Sequence, residues 1–370
     1  MGSADWKPTP PHPVNPGQSV DPNDKLTVGA GTAAYVRPGD RITYTVLFEN
    51  QPSASLPAQM VTITDSLDAN LDWSTLELGA IGFNSTTVAV PAGVQSFTGE
   101  ATVATDPNPV EITATLNPTN GVITWVLQSV DPVTGELVAD PLAGFLPPDN
   151  AQRAGEGYVT YTVRSRGGLT TGTRIRNQAN IVFDVNAPIL TPVVTNTIDA
   201  TPPVSAITPL PATSSQTNLV VSWSGGDTGS GIAGYQVFVS VNGGAWTSWQ
   251  AGTTNTSAVY PAAYGNTYAF YSVALDATGN VEAAPVIPGT STVVMQTGQP
   301  VIQSVTQNAG RIVFTWSATV GQQYQAQYTT TLTPAVWHNL GGVVTANSAT
   351  LTASDSVGPD AQRFYRVVMP

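Results

Sequence analysis

The sequence predicts an all-β protein that consists of three tandem β-sandwich domains. Its 370 residues include 34 glycines and 30 prolines, and only 10% are charged, which is a poor composition for helices. Threonine, valine, serine and aromatic residues recur at the short spacings that favour strands. No segment longer than a few residues shows the apolar spacing of an amphipathic helix. The chain is long enough for about two to four domains, each with its own core.

The first predicted domain, residues 21–199, follows a proline-rich spacer over residues 1–20. Its first strand contains Leu26 and Val28, and two later strands alternate between core and solvent. The core faces of these two strands are Ile42, Tyr44, Val46 and Phe48 in one, and Val61, Ile63 and Asp65 in the other. Residues 173–186 are expected to be the closing strand. Its core face carries one anomaly, the carboxamide of Asn177, in line with Ile175, Ala179, Ile181 and Phe183.

The second and third domains are predicted over residues 200–297 and 298–370, and they look like a diverged repeat. The linkers are Ala200-Thr201-Pro202-Pro203 and Gln299-Pro300. Each domain has a tryptophan on an early strand and a tyrosine on the next, a pair that fills the centre of a small sandwich. These pairs are Trp223 with Tyr235 and Trp316 with Tyr324. The dipeptide Asn242-Gly243 between two apolar runs predicts a type I′ hairpin turn.

Composition excludes several classes of function. The formal net charge is −12 and the sequence pI is about 4.3, with no basic stripe, so nucleic acid is not expected as a partner. There is no apolar run of membrane length, so membrane insertion is not expected either. Cysteine is absent, which excludes disulfides and thiolate chemistry but agrees with bacterial extracellular domains. Met1-Gly2-Ser3 is expected to mark a segment cut from a longer secreted protein.

No catalytic signature is present, and the chain is predicted not to be an enzyme. The two histidines are His12, in the spacer, and His338, and neither lies near a Gly-x-Ser-x-Gly turn. The 24 acidic residues are scattered over turns, so any pair of carboxylates chosen for glycoside hydrolysis is arbitrary. Most of these side chains are expected to be solvated or to cap turns.

Two patterns suggest ligand binding, each beside a structural alternative. Asp68, Asn70 and Asp72 have the alternating oxygen spacing of a calcium loop, but Trp73 stands where such a loop needs glycine and no glutamate follows at the twelfth position. A polar turn is the other interpretation.

Trp246 and Trp249 lie three residues apart, so in a strand at most one of them faces the core of the domain. The other is available to a sugar ring or is simply half-exposed.

Particular motifs resemble known families. Residues 21–199 contain Asp-Pro-Asn-Asp-Lys at 21–25, Gly-Asp-x-Ile-x-Tyr-Thr-Val-x-Phe-x-Asn at 39–50, Thr-Asp-x-Leu-Asp at 64–68 and a closing run at 172–191. With these motifs the domain resembles an uncharacterised domain of large secreted bacterial proteins, and is similar to the prealbumin-like, immunoglobulin-like stalk domains of Gram-positive surface proteins. Domain two, through residues 230–235 and 274–280, resembles fibronectin type III. Domain three, through residues 314–317 and 363–366, is similar to C-terminal modules of planctomycete-like secreted proteins.

The resemblance to stalk domains implies an intramolecular isopeptide bond between a lysine and an asparagine, assisted by a buried acid. Asn177 and Asp65 lie on predicted core faces, and Lys25 is the only lysine outside the spacer. Alternation within the first strand, however, places Leu26 and Val28 on the core face and Lys25 with Thr27 on the other. The alternative is that Asn177 and Asp65 hydrogen-bond to each other or to the backbone.

The function predicted from these observations is a non-enzymatic, extracellular stalk or adhesion segment of a larger secreted bacterial surface protein. Cell-surface or glycan ligands are the expected partners. The alternative is an accessory carbohydrate-binding segment of a secreted polysaccharide-degrading enzyme. No cofactor is expected apart from calcium, should the Asp68–Asp72 loop bind it.

Overall fold

The computed structural model describes residues 23–370 except residues 297, 357, 359 and 361. The spacer predicted over residues 1–20, with His12, lies outside the described residues. All regular structure in the described part of the chain is β-strand. The strands form several sheets, in which most neighbouring strands are antiparallel. The prediction of tandem β-sandwich domains is therefore confirmed. None of the described residues belongs to a helix of the length and apolarity needed to cross a membrane.

The described chain divides into two compact units. One contains the residues up to Pro203 together with Gly226–Ala233 and Leu275–Glu282. The other contains Val204–Gly225, Gly234–Ala274 and Ala283–Pro370. The predicted boundaries between three domains, at residues 199 and 297, stay a prediction.

The first unit is built from three sheets. Its strands are β1 (Lys25–Thr27), β2 (Tyr35–Val36), β3 (Arg41–Glu49), β4 (Met60–Ser66), β5 (Leu71–Phe83), β6 (Thr86–Val88), β7 (Ser96–Val103), β8 (Asp106–Asn117), β9 (Val122–Ser129), β10 (Glu156–Ser165), β11 (Arg174–Asn177), β12 (Ala179–Phe183), β13 (Ile189–Leu190) and β14 (Val194–Ile198). The sheet orders are β1-β3-β10-β5-β6, β13-β12-β4-β9-β8-β7 and β11-β14-β2.

The core of the first unit lies between these sheets and follows the predicted alternation. Ile42, Tyr44, Val46 and Phe48 on β3 are all buried, as are Val61, Ile63 and Asp65 on β4. Buried aromatic rings occupy the centre: the ring of Tyr161 lies 5.2 Å from that of Tyr44 and 5.8 Å from that of Trp125, centroid to centroid. Such pairs stabilise beyond the area they bury.

The closing strand predicted over residues 173–186 is divided in the structure. Its first part, β11, pairs with β14 in one sheet, whereas its second part, β12, pairs with β4 and β13 in another. The chain changes sheets at Gln178, whose Nε2 donates to the backbone oxygen of Thr191 at 2.7 Å. The domain closes with β14, so the prediction that residues 173–186 are its last strand is wrong.

The remaining strands form two further pairs of sheets. They are β15 (Val204–Ile207), β16 (Thr213–Ser214), β17 (Asn218–Gly226), β18 (Ile232–Val241), β19 (Thr247–Thr253), β20 (Ser257–Pro261), β21 (Asn266–Asp276), β22 (Thr290–Val294), β23 (Ile302–Asn308), β24 (Arg311–Ser317), β25 (Gln323–Thr329), β26 (His338–Asn339), β27 (Val344–Thr345), β28 (Thr350–Ser356) and β29 (Phe364–Val368). Their orders are β15-β17-β20, β16-β22-β21-β18-β19, β23-β24-β28 and β26-β25-β27, with β29 also on β25.

Two sequence predictions for these sheets are confirmed. Both tryptophan–tyrosine pairs, Trp223 with Tyr235 and Trp316 with Tyr324, are buried. Asn242 and Gly243 both have positive φ, 52° and 70°, as a type I′ turn requires. The nitrogen of the next glycine donates to the oxygen of Val241 at 2.9 Å and closes this turn.

Candidate cross-linking site

Lys25, Asp65 and Asn177 all lie inside the first unit. Their side chains come from β1, β4 and β11, which belong to three different sheets, and their exposed fractions are 1%, 0% and 2%. Asp65 and Asn177 face inward as the alternation predicts. Asp65 is the register partner of Ala179, two residues beyond Asn177. The fold therefore brings together an amine, an acid and a carboxamide that are distant in sequence.

The orientation predicted for the first strand is wrong, because Lys25 faces the core and Val28 is 59% exposed. The reason is cross-strand register. Lys25 pairs with Val46 and Thr27 pairs with Tyr44, and directly opposed residues of antiparallel strands share a face of the sheet. Both β3 partners are buried, so the lysine shares their side. A strand of three residues carries too few apolar positions to define its own phase.

Tyr161 on β10 connects the three predicted residues. Its hydroxyl donates to Oδ2 of Asp65 at 2.7 Å and accepts from Nδ2 of Asn177 at 2.6 Å. Nζ of Lys25 donates to the same hydroxyl at 3.2 Å and also to Oδ2 of Asp65. Asp65 and Asn177 therefore meet through the tyrosine, and not by the direct hydrogen bond that the structural alternative expected.

The surroundings of Lys25 are apolar and aromatic. Nζ lies 5.3 Å from the ring centroid of Tyr44 and 5.4 Å from that of Tyr161. Burial lowers the pKa of Lys25, and this effect exceeds the opposing effect of the Asp65 carboxylate. Burial also raises the pKa of Tyr161 well above its usual value, so its hydroxyl stays neutral. The site thus favours the uncharged, nucleophilic form of the amine more than water does.

Two oxygen atoms of the cluster lack hydrogen-bond partners. They are Oδ1 of Asp65 and Oδ1 of Asn177, and both are buried. A second buried asparagine, Asn196, shows the contrast. Its Oδ1 accepts from Thr27 and Tyr44, and its Nδ2 donates to two backbone oxygens. Both polar side-chain atoms of Asn196 are thus paired, whereas Oδ1 of Asn177 is not.

A groove of about 560 Å³ opens beside the cluster, and Asn177 is among its lining residues. The other lining residues are Thr64, Ser66, Arg176, Gln178, Asn180, Leu190 and Val193. The groove lies where the chain passes from β11 to β12.

Sequence reasoning missed Tyr161 and Asn196. Tyr161 alternates in phase with the core residues Val159 and Val163 on β10, and a buried tyrosine hydroxyl normally has a partner. These two facts together indicate a buried hydroxyl that needs a hydrogen-bond partner in the core, and they could have been read from the sequence. Asn196 lies on β14, a strand that was not predicted, so its inward orientation had no basis in the sequence.

The predicted calcium loop forms a hydrogen-bonded turn. Asp68 accepts from the backbone nitrogens of Asn70 and Arg176, at 2.8 and 2.9 Å. Asp72 accepts from the nitrogen and hydroxyl of Ser74. These contacts give both carboxylates a structural role, and calcium at Asp68, Asn70 and Asp72 stays a prediction. The melting temperature with calcium and with chelator tests it, since an ion that binds only the folded state raises that temperature.

A different acidic group lies in the first unit. Carboxylate oxygens of Asp199, Asp227 and Asp276 lie within 4.8 Å of one another. Each carboxylate accepts at least two backbone N–H groups from its surrounding turns, which partly balances the like charges. Through these bonds Asp227 and Asp276 hold the tight turns at residues 227–231 and 276–280. Acidic residues alone do not define a metal site.

Trp246 and Trp249 lie on opposite sides of their sheet, as predicted. Trp249 packs against the buried rings of Trp223 and Phe270, at 6.1 and 5.8 Å between centroids. Trp246 is 39% exposed and packs edge-on against Tyr271 at 4.6 Å. Tyr271 in turn stacks on Phe238 at 4.8 Å with an interplanar angle of 17°. We call Phe238, Trp246 and Tyr271 the aromatic cluster.

Comparison with known proteins identifies one domain. Residues 21–100 and 143–197 match a family model described as a domain of unknown function, DUF7619. The matched segments are less than half of the chain and contain Lys25, Asp65, Tyr161 and Asn177. This agrees with the resemblance of residues 21–199 to an uncharacterised domain. The resemblances of domains two and three stay predictions. No curated protein matches the chain.

Several solved structures are similar to this chain. A collagen-binding domain from a Staphylococcus aureus adhesin has 14% identity and a TM-score of 0.26, covering 49% of this chain and 99% of that one. Domains D2 and D3 of the major pilin SpaD from Corynebacterium diphtheriae have 12% identity and a TM-score of 0.28, covering 85% and 88%. The major pilin subunit BcpA of Bacillus cereus has 13% identity and a TM-score of 0.29, covering 74% and 68%. Likeness at this level carries no argument about function.

Proposed function

We propose that the chain is a non-enzymatic, extracellular stalk or adhesion segment of a larger bacterial surface protein, whose first domain is strengthened by an intramolecular isopeptide bond between Lys25 and Asn177. The observation that carries the proposal is the buried cluster of Lys25, Asp65, Tyr161 and Asn177. A covalent link between distant strands suits a domain that must resist tension or proteolysis. The formation of this bond needs only an amine, an acid and a carboxamide, and the cluster contains all three.

The reaction exchanges one bond for another without a co-reactant. Nζ of Lys25, in its neutral form, attacks Cγ of Asn177, and an N–C bond forms. The bond between Cγ and Nδ2 of Asn177 breaks, and Nδ2 leaves as ammonia. The proton that Nζ loses balances the proton that Nδ2 gains. The lowered pKa of Lys25 supports this step, because only the neutral amine is nucleophilic.

Asp65 is the acid of the reaction. It accepts a hydrogen bond from Nζ of Lys25, so one proton is shared between the two groups. With that proton on Asp65, the amine is neutral and free to attack the carboxamide of Asn177, whose oxygen has no partner. Ammonia then leaves through the groove that Asn177 lines.

The intact mass of the purified, denatured chain tests the proposal. The wild-type mass should fall below the mass calculated from the sequence by one ammonia. Lys25→Ala and Asn177→Ala should each abolish the loss. Lys7→Ala, which alters the other lysine of the chain, is the matched control and should retain it. A wild-type mass equal to the calculated value would exclude the bond.

The aromatic cluster supports a second candidate function, the binding of a neutral glycan by an accessory segment of a polysaccharide-degrading enzyme. Trp246 and its neighbours lie on the outer face of the sheet, and β18 and β19 carry no charged residue. Exposed side chains of Gln236 and Ser248 flank the rings. Flat rings beside neutral hydrogen-bonding groups suit an uncharged sugar better than an acidic one.

Affinity electrophoresis in gels containing hydroxyethylcellulose, glucomannan or alginate tests this second function. Migration should be retarded by a neutral polymer, and Trp246→Ala should weaken the retardation on the order of tenfold, as for an aromatic anchor. Trp337→Ala is the matched control, because this half-buried tryptophan instead faces the guanidinium of Arg366 at 4.2 Å. Retardation by alginate alone, or equal effects of both substitutions, would contradict glycan binding at the cluster.

A further inference from the structure

The hydroxyl of Tyr161 makes hydrogen bonds with all three members of the proposed reaction. It receives hydrogen bonds from Lys25 and Asn177 and donates one to Asp65. It lies directly between the acid and Nδ2, the nitrogen that must leave as ammonia. Departure of an amide nitrogen requires an added proton, because an amide anion is far too basic to leave. The position of Tyr161 therefore coincides with the most demanding proton transfer of the reaction.

We propose that the Tyr161 hydroxyl relays a proton from Asp65 to Nδ2 of Asn177. This inference rests on the proposed cross-link and assigns a further catalytic residue to it. The Asp65 carboxyl, having taken a proton from Nζ of Lys25, passes that proton to the tyrosine oxygen. The tyrosine passes its own proton to Nδ2, whose lone pair becomes available once the carboxamide carbon is tetrahedral. Tyr161 ends neutral, as it began.

The relay reverses the direction of two existing hydrogen bonds and moves no heavy atom far. Before the reaction Tyr161 donates to Asp65 and accepts from Nδ2, at 2.7 and 2.6 Å. During the relay Asp65 donates to Tyr161, which donates to Nδ2. Both distances, from the Tyr161 oxygen to Asp65 and to Nδ2 of Asn177, are short enough for proton transfer along a hydrogen bond. The raised pKa of Tyr161 keeps its hydroxyl protonated, so that a proton is present for the transfer.

Tyr44 offers a matched comparison within the same site. It is also fully buried, and its ring lies close to Nζ of Lys25. Its hydroxyl, however, donates to Oδ1 of Asn196 at 3.0 Å. Removing that hydroxyl alters this hydrogen bond and an interaction with Asn177, but it leaves the hydrogen bond between Tyr161 and Asp65 in place. Tyr44→Phe therefore controls for the loss of a buried phenol.

Cross-link formation in freshly synthesised chains tests the relay. The full chain is made by cell-free translation, and its intact mass is followed over time for the wild type, Tyr161→Phe and Tyr44→Phe. We expect Tyr161→Phe to slow ammonia loss on the order of 100-fold, the scale of general acid catalysis, and Tyr44→Phe to keep nearly the wild-type rate. Equal rates for the wild type and Tyr161→Phe would overturn the relay and leave the cross-link standing. Absence of ammonia loss from the wild type would instead overturn the proposed function.

A second substitution distinguishes proton transfer from mere positioning. Fluorotyrosine at position 161 retains the ring and the hydroxyl but has a more acidic phenol. A hydroxyl that transfers a proton must change the rate of ammonia loss when its acidity changes, whereas one that only holds Asn177 in place must not. An unchanged rate would overturn the relay. This test also applies if Tyr161→Phe fails to fold, as judged by its melting temperature against that of unlinked Asn177→Ala.

Discussion

At the scale of single residues, Lys25 and Asp65 form a buried ion pair in the first unit. Both side chains are fully buried, and removing a charge from water is expensive. Their mutual contact offsets this cost only while both partners are present. Without the cross-link, therefore, the loss of one partner should be much worse than the loss of both.

Unlinked variants measure this dependence. In an Asn177→Ala background, the further change Asp65→Ala should lower the free energy of unfolding by about 3–5 kcal/mol, because it leaves Lys25 buried without a counter-charge. Adding Lys25→Met should recover most of that loss. Denaturant unfolding gives the three values. Equal stability of the single and the double variant would show that the two residues are not coupled.

The pH dependence of the same background follows from the lowered pKa of Lys25. The unfolded chain, with lysine near its ordinary value of 10.5, binds more protons than the folded chain. Stability of Asn177→Ala should therefore rise as the pH increases from the lowered pKa towards 10.5. Asp65, Tyr44 and Tyr161 face the amine, and the raised pKa values of both tyrosines oppose this rise above about pH 10. Lys25→Met in this background should remove the rise, and an unchanged slope would contradict the assignment.

Alternation along β4 and β11 was sufficient to predict that Asp65 and Asn177 face the core. It failed for Lys25, because the side on which β1 places its residues is decided by register with β3 and not by the three residues of β1 themselves. Tyr161 was overlooked because a tyrosine among core residues is ordinary. Its role in the site depends on the hydrogen bonds that its hydroxyl makes with Lys25, Asp65 and Asn177, and the sequence does not show these bonds.

At the scale of elements, the proposed bond joins β1 to β11. These strands lie in different sheets, and their linked residues are 152 positions apart, from 25 to 177. A link that closes so long a loop restricts the unfolded chain strongly. The bond should therefore stabilise the domain more than any single hydrogen bond of the cluster.

Comparison of the wild type with Asn177→Ala measures that stabilisation. By analogy with disulfides, closing a loop of this length contributes about 5 kcal/mol to the free energy of unfolding. Chemical denaturation followed by tryptophan fluorescence gives the difference. Asn196→Ala, which removes a buried asparagine but leaves the bond intact, is the control. A wild type no more stable than Asn177→Ala would contradict a cross-link.

Some strands could be predicted from the alternation of apolar residues, and others could not. The strands with regular alternation, β3 and β4, were predicted closely. The long strand β5 was missed, because register shifts against β10 interrupt its period of two. The division of residues 173–186 between two sheets is likewise invisible in the sequence, since the alternation keeps its phase through Gln178.

At the scale of the whole molecule, composition was enough to predict an all-β chain of tandem sandwiches. The proposed role follows from one buried cluster and not from the fold, because the same sandwiches serve many functions. Under tension, a bond between residues 25 and 177 would keep the chain between them from extending. Most of the first domain would then transmit force without unfolding completely.

Single-molecule stretching from the two ends of the chain tests this consequence. In the wild type, the segment between Lys25 and Asn177 should not contribute to the extended length. In Asn177→Ala it should add about 500 Å, from roughly 3.3–3.6 Å per extended residue. Lys7→Ala should behave as the wild type. Equal lengths released by the wild type and Asn177→Ala would contradict the shielding of this segment.

Tandem mass spectrometry of a proteolytic digest of the wild-type chain detects the proposed bond itself. We expect a branched peptide in which Nζ of Lys25 is joined to the side chain of Asn177, with the mass of the two peptides less one ammonia. This peptide should be absent from digests of Lys25→Ala and Asn177→Ala. Recovery from the wild type of only separate linear peptides, with Lys25 and Asn177 both unmodified, would contradict the account.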